Sequence, residues 1–300
     1  MPDARRTFIE EVVFTDAEDR LGLHGLFFRP DSPTAGLPVL WLHGLFASFY
    51  DNEYVALGRE MAGRGYTFLS ANTRGHDFGA ALRGPDGRPV TGGSAWESLQ
   101  ESPRDVAGWV DFLFAWGYRR VVLAGHGLGA RKAAFYLTER LDPRVVGLVV
   151  ASPIVLKHPG GAPTEEERSL LTSARGMLGS GRGRDLLPWP AEGCPFSAAT
   201  HVELEDPDAP FSNLFALTGH GRTTPLIAEV KVPILAFFGS QERSSDGRDR
   251  AGELGLLRHS ARSSPNVTIT LIRGADYRYT GKINAVADVI SKFVMGLPSA

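Results

Sequence analysis

Apolar residues cluster along this chain in short unbroken runs. Val39–Leu42, Thr67–Ser70, Val121–Ala124, Val145–Ala151, Ile234–Phe238 and Val267–Ile272 each read as a strand covered on both faces. Continuous rather than alternating hydrophobicity is the mark of a parallel sheet with helices on either side. Ahead of them, Phe8–Phe14 and Leu21–Phe28 flank the acidic turn Asp16–Asp19 and predict a hairpin. Helical periodicity fills the gaps at Tyr54–Ala62, Pro103–Trp116, Leu128–Arg140 and Lys282–Met295. Pro103 opens the second of these and Gly117 closes it, as helix boundaries favour. The expected fold is α/β: an eight-stranded, mostly parallel sheet with helices on both faces.

One stretch breaks the rhythm. Lys157–Glu229 separates two core strands and is too long for a simple crossover. It carries the acidic run Glu165–Glu167, a helical pattern near Ser169–Leu178 and the Gly/Arg stretch GSGRGR. It also holds Leu186, Leu187, Trp189, Phe196, Phe211, Leu214 and Phe215, enough apolar surface to order it. We expect an inserted helical cap at 157–229 on a core made of 1–156 and 230–300. Trp189, Phe196 and Phe211 belong to the core of that cap or to the roof of a pocket beneath it.

Charge and composition narrow the partners. The 32 basic and 34 acidic residues leave a net charge of −2, so no electrostatic reason exists to expect nucleic acid or an anionic membrane. No apolar run approaches the ~18–20 residues that span a bilayer. The N-terminus is acidic and lacks the apolar segment of a signal peptide, which predicts a cytoplasmic location. The single cysteine, Cys194, excludes an intrachain disulfide and reads as a small buried filler. Scattered histidines predict no metal site, and no cofactor motif is present. The expected partner is a small-molecule substrate.

The strand Val121–Ala124 runs into Gly125-His126-Gly127-Leu128-Gly129 and then a helix. This is the strand–turn–helix frame of a G-x-S-x-G nucleophile elbow. Its central residue is Gly127, which has no Oγ and cannot form an acyl-enzyme.

The chain resembles the α/β-hydrolase superfamily, in the branch of serine hydrolase-like proteins. The resemblance rests on a series in order: His43-Gly44, Phe49-Tyr50, Asn72-Thr73-Arg74-Gly75-His76-Asp77, Ala95-Trp96-Glu97, the GHGLG turn and Gly274-Ala275-Asp276-Tyr277. It implies Gly127 at the nucleophile position and Tyr277 at the histidine position. The acid position falls on Glu242, with Asp246 as the alternate. It also implies an oxyanion hole from the backbone N–H groups of Leu45 and Leu128, which does not depend on the side chain at 127. His43 and His126 read as loop-bracing, and Arg74, His76 and Asp77 as a brace between loops. Glu97 is either a brace or a pocket acid. Glu242 and Tyr277 either bind and react or are relict packing, and a hydrogen bond between them would form a polar anchor. Tyr279 reads as surface or cap-facing.

Without a serine or an imidazole, ester hydrolysis by the usual route is closed. Three functions remain, in order of preference. The first is a non-hydrolytic enzyme (lyase, isomerase or cyclase) that holds an enolate in the oxyanion hole. The second is an inactive binding or regulatory protein. The third is a hydrolase with an unconventional water-activating set.

Overall fold

The computed structural model describes residues 8–33, 36–153, 164–188, 194–209, 211–217, 224–243 and 249–298. Its strands are β1 (Phe8–Asp16), β2 (Gly22–Pro30), β3 (Val39–Leu42), β4 (Phe68–Ala71), β5 (Ala80–Arg83), β6 (Pro89–Gly92), β7 (Val121–His126), β8 (Val145–Ala151), β9 (Ile234–Gly239) and β10 (Val267–Ile272). Eight of them form one sheet in the order β1-β2-β4-β3-β7-β8-β9-β10. β1 and β2 pair antiparallel over a turn, β2 meets β4 antiparallel, and β4 through β10 are parallel. Each apolar run named in the sequence became one of these strands. β5 and β6 form a separate small hairpin that the apolar pattern had not indicated.

Period-two alternation splits the buried residues into two layers. On one face Leu40, Leu42, Leu123, Val150 and Phe238 pack with Val106, Trp109, Ala130, Ala133 and Leu257. These last come from α2 (Ser102–Ala115), α3 (Leu128–Arg140) and α6 (Arg250–Ser260). On the other face Val39, Trp41, Val122, Val149 and Phe237 pack with Leu57, Met61, Val286 and Ile290, from α1 (Asn52–Gly63) and α7 (Ile283–Met295). Both faces of the central strands β3, β7, β8 and β9 are therefore covered, which is why these are almost wholly apolar. α2 carries Pro103 in its first turn and ends just before Gly117, which takes φ +97°, the left-handed backbone that glycine adopts without steric cost.

The stretch after β8 contributes α4 (Glu165–Gly179), started by a capping box between Thr164 and Glu167, and α5 (Ala198–Glu205). Ala174, Leu187 and Ala198 form a small cluster of their own. Farther on, Leu204, Phe211, Leu214, Leu226 and Ile227 merge into the apolar layer that contains α3. α5 is also tied to the segment before α2: Ser197 N–H donates to the Ala95 carbonyl at 2.7 Å, and the Thr200 hydroxyl donates to the Glu97 carbonyl at 2.9 Å. Among the described residues no helix is long and apolar enough to cross a membrane.

Candidate active site

The parallel strands end on one edge of the sheet, where open α/β folds bind ligands. β7 ends there, and α3 starts one residue later. Gly127 fills the gap with φ +57° and ψ −117°, a strained conformation that costs a residue with a side chain about 1–3 kcal/mol. Its N–H donates to the Ala151 carbonyl at the end of β8, 3.0 Å away. The flanking glycines answer to close approach rather than to dihedrals. A Cβ on Gly125 would fall 2.2 Å from the backbone of Gly129, and one on Gly129 would fall 2.3 Å from the Leu42 carbonyl oxygen. The chain leaving β3 is thus pressed against the turn. Leu45 lies on that chain, and Leu128 opens α3. Among the described residues neither backbone N–H meets an acceptor, as the first turn of a helix leaves its donors unsatisfied.

His126 is buried and spent on structure. Tyr54 donates its hydroxyl proton to Nδ1 at 2.8 Å, while accepting the Gly44 N–H at 3.1 Å. Nε2 is 2.9 Å from the Tyr277 carbonyl oxygen, so it carries the proton. Burial pushes the imidazole down to about 4. The unfolded chain takes up that proton near pH 6.5 and the folded chain near 4. Stability from this group is therefore complete above pH 6.5 and falls as the pH drops from 6.5 to 4, by about 3 kcal/mol. Urea titrations of the protein and of His126→Gln across that range should show the loss in the first and a flatter profile in the second. Equal pH slopes would mean that His126 titrates normally.

Glu242 follows β9. Its Oε1 accepts the Gly239 N–H at 2.5 Å and the hydroxyl of Ser152. Ser152 is the first residue after β8, and its Oγ is 2.5 Å from the hydroxyl of Tyr279. Two of these three residues sit in the left-handed region, Ser152 at φ +39° and Tyr279 at +61°. Such strain persists only where surrounding contacts enforce it. Burial raises the Glu242 carboxyl above its ordinary range. Tyr279 is thus buried and directed at the strand ends, not toward surface or cap. The anchor expected between Glu242 and Tyr277 is instead a Glu242–Ser152–Tyr279 chain. The Tyr277 ring lies against His126, centroids 4.4 Å apart and planes tilted by 45°, and stays 37% exposed. Burial and the nearby Glu242 charge raise its phenol, which stays protonated at neutral pH.

Beneath this edge lies a buried polar network. His43 Nδ1 donates to the Gly44 carbonyl at 2.8 Å, and its Nε2 accepts from the Thr73 N–H and hydroxyl at 3.1 and 2.9 Å. Lys132, on α3, donates to the Thr73 hydroxyl at 2.7 Å and pairs with Glu97 at 2.5 Å. Both charged side chains are fully buried. Arg74 turns away toward α2, where it clamps buried Asp105 at 2.7 Å and reaches Asp19 at 3.0 Å and Glu101 at 3.2 Å. His76 pairs with Asp77 at 2.9 Å, and Asp77 also accepts the Tyr50 hydroxyl at 2.7 Å.

The structure therefore gathers Gly127, Leu128, His126 and Tyr277 at one turn, with the loop bearing Leu45 against it and Glu242 after β9, two strands along the sheet from β7. His43 and Glu97 lie under this group, and Arg74 braces the far side of the loops. Trp189 and Asp246 fall outside the described residues. Sequence reasoning passed over Ser152, Tyr54 and Lys132, and it set Tyr279 at the surface or toward the cap where the structure buries it. Ser152 had a usable signal, a hydroxyl at the carboxyl end of a core strand. Lys132 had another, since with Arg131 it sets two adjacent cations among alanines on a helix expected to be buried. Among the described residues no cluster of His, Cys, Asp and Glu is arranged to hold a metal ion.

A model described as the alpha/beta hydrolase family matches residues 39–277. No curated protein matches the chain in sequence. Est1E from Butyrivibrio proteoclasticus shares the fold with a TM-score of 0.61 at 13% identity, covering 95% of this chain and 97% of that one. It has also been solved with ferulic acid bound. The Pyrococcus furiosus esterase Pf2001 aligns at 0.57 and 19% identity over 97% and 92% of the two chains. Hypothetical protein PA2218 from Pseudomonas aeruginosa aligns at 0.65 and 14% identity over 98% and 95%.

Proposed function

The chain belongs to the alpha/beta hydrolase family, and from that premise we propose a non-hydrolytic enzyme acting on a small carbonyl compound, of the lyase, isomerase or cyclase kind. The observation that carries this reading is Gly127. It holds the elbow backbone, with its N–H gripped by Ala151, but offers no atom that can attack a carbonyl. In this reading 127 is a replaced nucleophile and 277 a replaced histidine. The stretch 157–229 serves as the cap over the site.

The Leu45 and Leu128 N–H groups take the substrate's carbonyl oxygen. Donors fixed in the backbone stabilise developing negative charge without reorganising. The Glu242 carboxylate, made more basic by burial, removes a proton from the carbon next to the carbonyl. The C–H electron pair moves into the carbonyl, and the enolate oxygen rests on the two N–H groups. Tyr277, protonated at neutral pH, donates a hydrogen bond to that oxygen. Returning the proton to a different carbon completes an isomerisation, and loss of a β-substituent completes an elimination. His126 takes no part, because both its nitrogens are engaged.

The test is deuterium uptake by a panel of methyl ketones in heavy water, followed by NMR. Uptake should exceed buffer by at least about 10²-fold, the low end for a positioned general base. It should return to background in Glu242→Gln and fall in Tyr277→Phe. p-Nitrophenyl butyrate should be hydrolysed at the buffer rate.

A second reading is a hydrolase in which Glu242 activates water, favoured by the esterases among the solved structures of this fold. Turnover of p-nitrophenyl butyrate that is lost in Glu242→Gln would establish it. Binding of ketones without exchange or hydrolysis would leave a binding protein.

A further inference from the structure

Next to Leu45 the backbone does something unusual. Phe46 takes φ +59°, a conformation that costs an L-residue about 1–2 kcal/mol. It is held there because its N–H donates to the Ser94 hydroxyl at 2.8 Å, which in turn donates to the Gly75 carbonyl at 2.8 Å. The core gains little from this strain, since Phe46 and Phe78 each remain 37% exposed. What the strain achieves is alignment. The Phe46 ring is near-parallel to Phe196, 5.6 Å away at 19°, and to Phe78, 6.4 Å away at 24°. Trp96 flanks Phe78 at 6.4 Å.

These rings come from four separate segments, and hydrogen bonds fix them. The Trp96 indole donates to the Arg184 carbonyl at 2.9 Å. Phe196 adjoins Ser197, whose N–H is held by Ala95. Asp77, beside Phe78, has its carboxylate taken by Tyr50 and His76. The result is an uncharged aromatic cluster, three rings near-parallel and Trp96 tilted at 58° to Phe78, that begins one residue from Leu45.

We infer that the substrate is a neutral carbonyl compound bearing a planar aromatic ring, which seats against the Phe46, Phe78, Trp96 and Phe196 face while its carbonyl oxygen meets the Leu45 N–H. The inference rests on the reading of the Leu45 and Leu128 N–H groups as the carbonyl site. Aromatic rings stack at centroid separations of 4.5–7 Å and gain about 0.5–1.5 kcal/mol beyond the area they bury. A planar ring can extend the stacked series, whereas a saturated ring of similar size gains only the burial.

The experiment titrates the full-length protein by calorimetry with 4-phenyl-2-butanone and with 4-cyclohexyl-2-butanone. The aromatic ketone should bind about 3- to 10-fold more tightly. Phe46→Leu should abolish the preference, and Phe78→Leu should reduce it while leaving the strained position untouched. Equal affinities, binding of neither ketone, or a preference that survives in both variants would overturn the inference. Running deuterium uptake on the same two ketones separates the two claims. An aromatic preference in binding without exchange overturns the enzyme reading alone. Exchange with no aromatic preference overturns this inference alone.

Discussion

Lys132→Met should lower the free energy of unfolding by about 3–5 kcal/mol, the usual result of leaving one member of a buried ion pair uncompensated. Lys132 and Glu97 are both fully enclosed, 2.5 Å apart, between α3 and the segment before α2. Removing the ammonium leaves Glu97 charged in a dry site, or forces it to take up a proton. The Thr73 hydroxyl also loses its donor, and the Thr73–His43 contact under the β3 loop loosens with it. Glu97→Gln in the Lys132→Met background should recover more than half of the loss. It removes the stranded charge and keeps an oxygen for the Ser98 N–H that Glu97 now accepts at 3.1 Å. Urea unfolding at pH 7 of the two single variants and the double variant measures this directly. A double variant whose loss equals the sum of the singles would show that the two side chains do not interact.

Building a serine at 127 and a histidine at 277 gives the other large effect, on the proposed reading of those positions. Gly127→Ser alone should cost about 1–3 kcal/mol of stability, because serine must occupy a backbone conformation that glycine holds freely. It should leave p-nitrophenyl butyrate untouched, since its hydroxyl has no base. Tyr277→His alone should do the same for want of a nucleophile. Together they should raise ester hydrolysis by about 10²–10⁴-fold over either single variant, the range of a positioned base. Members of a triad act as a unit rather than additively. In the proposed site Glu242 orients the new imidazole through Oε2, since its Oε1 is taken by Gly239 and Ser152. The double variant should also lose ketone exchange, which in the proposed mechanism uses the Tyr277 hydroxyl. A folded double variant without esterase activity would remove the support for Leu45, Leu128 and Glu242 as one site.

Much of the sheet was legible because strands buried on both faces must be apolar at every position, and such runs stand out in the chain. Val39–Leu42 and Val121–Ala124 are cases in point, whereas Val267–Ile272, at the sheet edge, keeps two threonines and is mostly half-buried or exposed. The β5–β6 hairpin escaped because it lies outside the sheet, is four residues a side and packs few apolar groups. α6 escaped because RAGELGLLRHS carries two glycines that weaken its helical signal. At the site, the residues set by chain order, such as Gly127 and Tyr277, could be placed from the motif series. The partners of Glu242 could not. Which hydroxyl reaches a carboxylate depends on how β8, β9 and the loop after β10 abut, and no spacing in the sequence encodes that. Tyr279 differs from Tyr277 by two positions, yet one ring is buried against Phe237, 5.6 Å away, and the other is partly open.

The hydrogen-bond line from Gly44 through Tyr54 and His126 to the Tyr277 carbonyl also has a dynamic meaning. It joins the loop after β3 to the loop after β10 across β7, through side chains that water does not reach. Neither loop can swing outward without breaking a buried bond of the other, so their fluctuations are correlated and small. The N–H of Leu45 inherits stiffness from a segment more than 200 residues distant in the chain. In the proposed function this edge is therefore the fixed side of the site, and an opening that admits a ligand falls to the α4–α5 side.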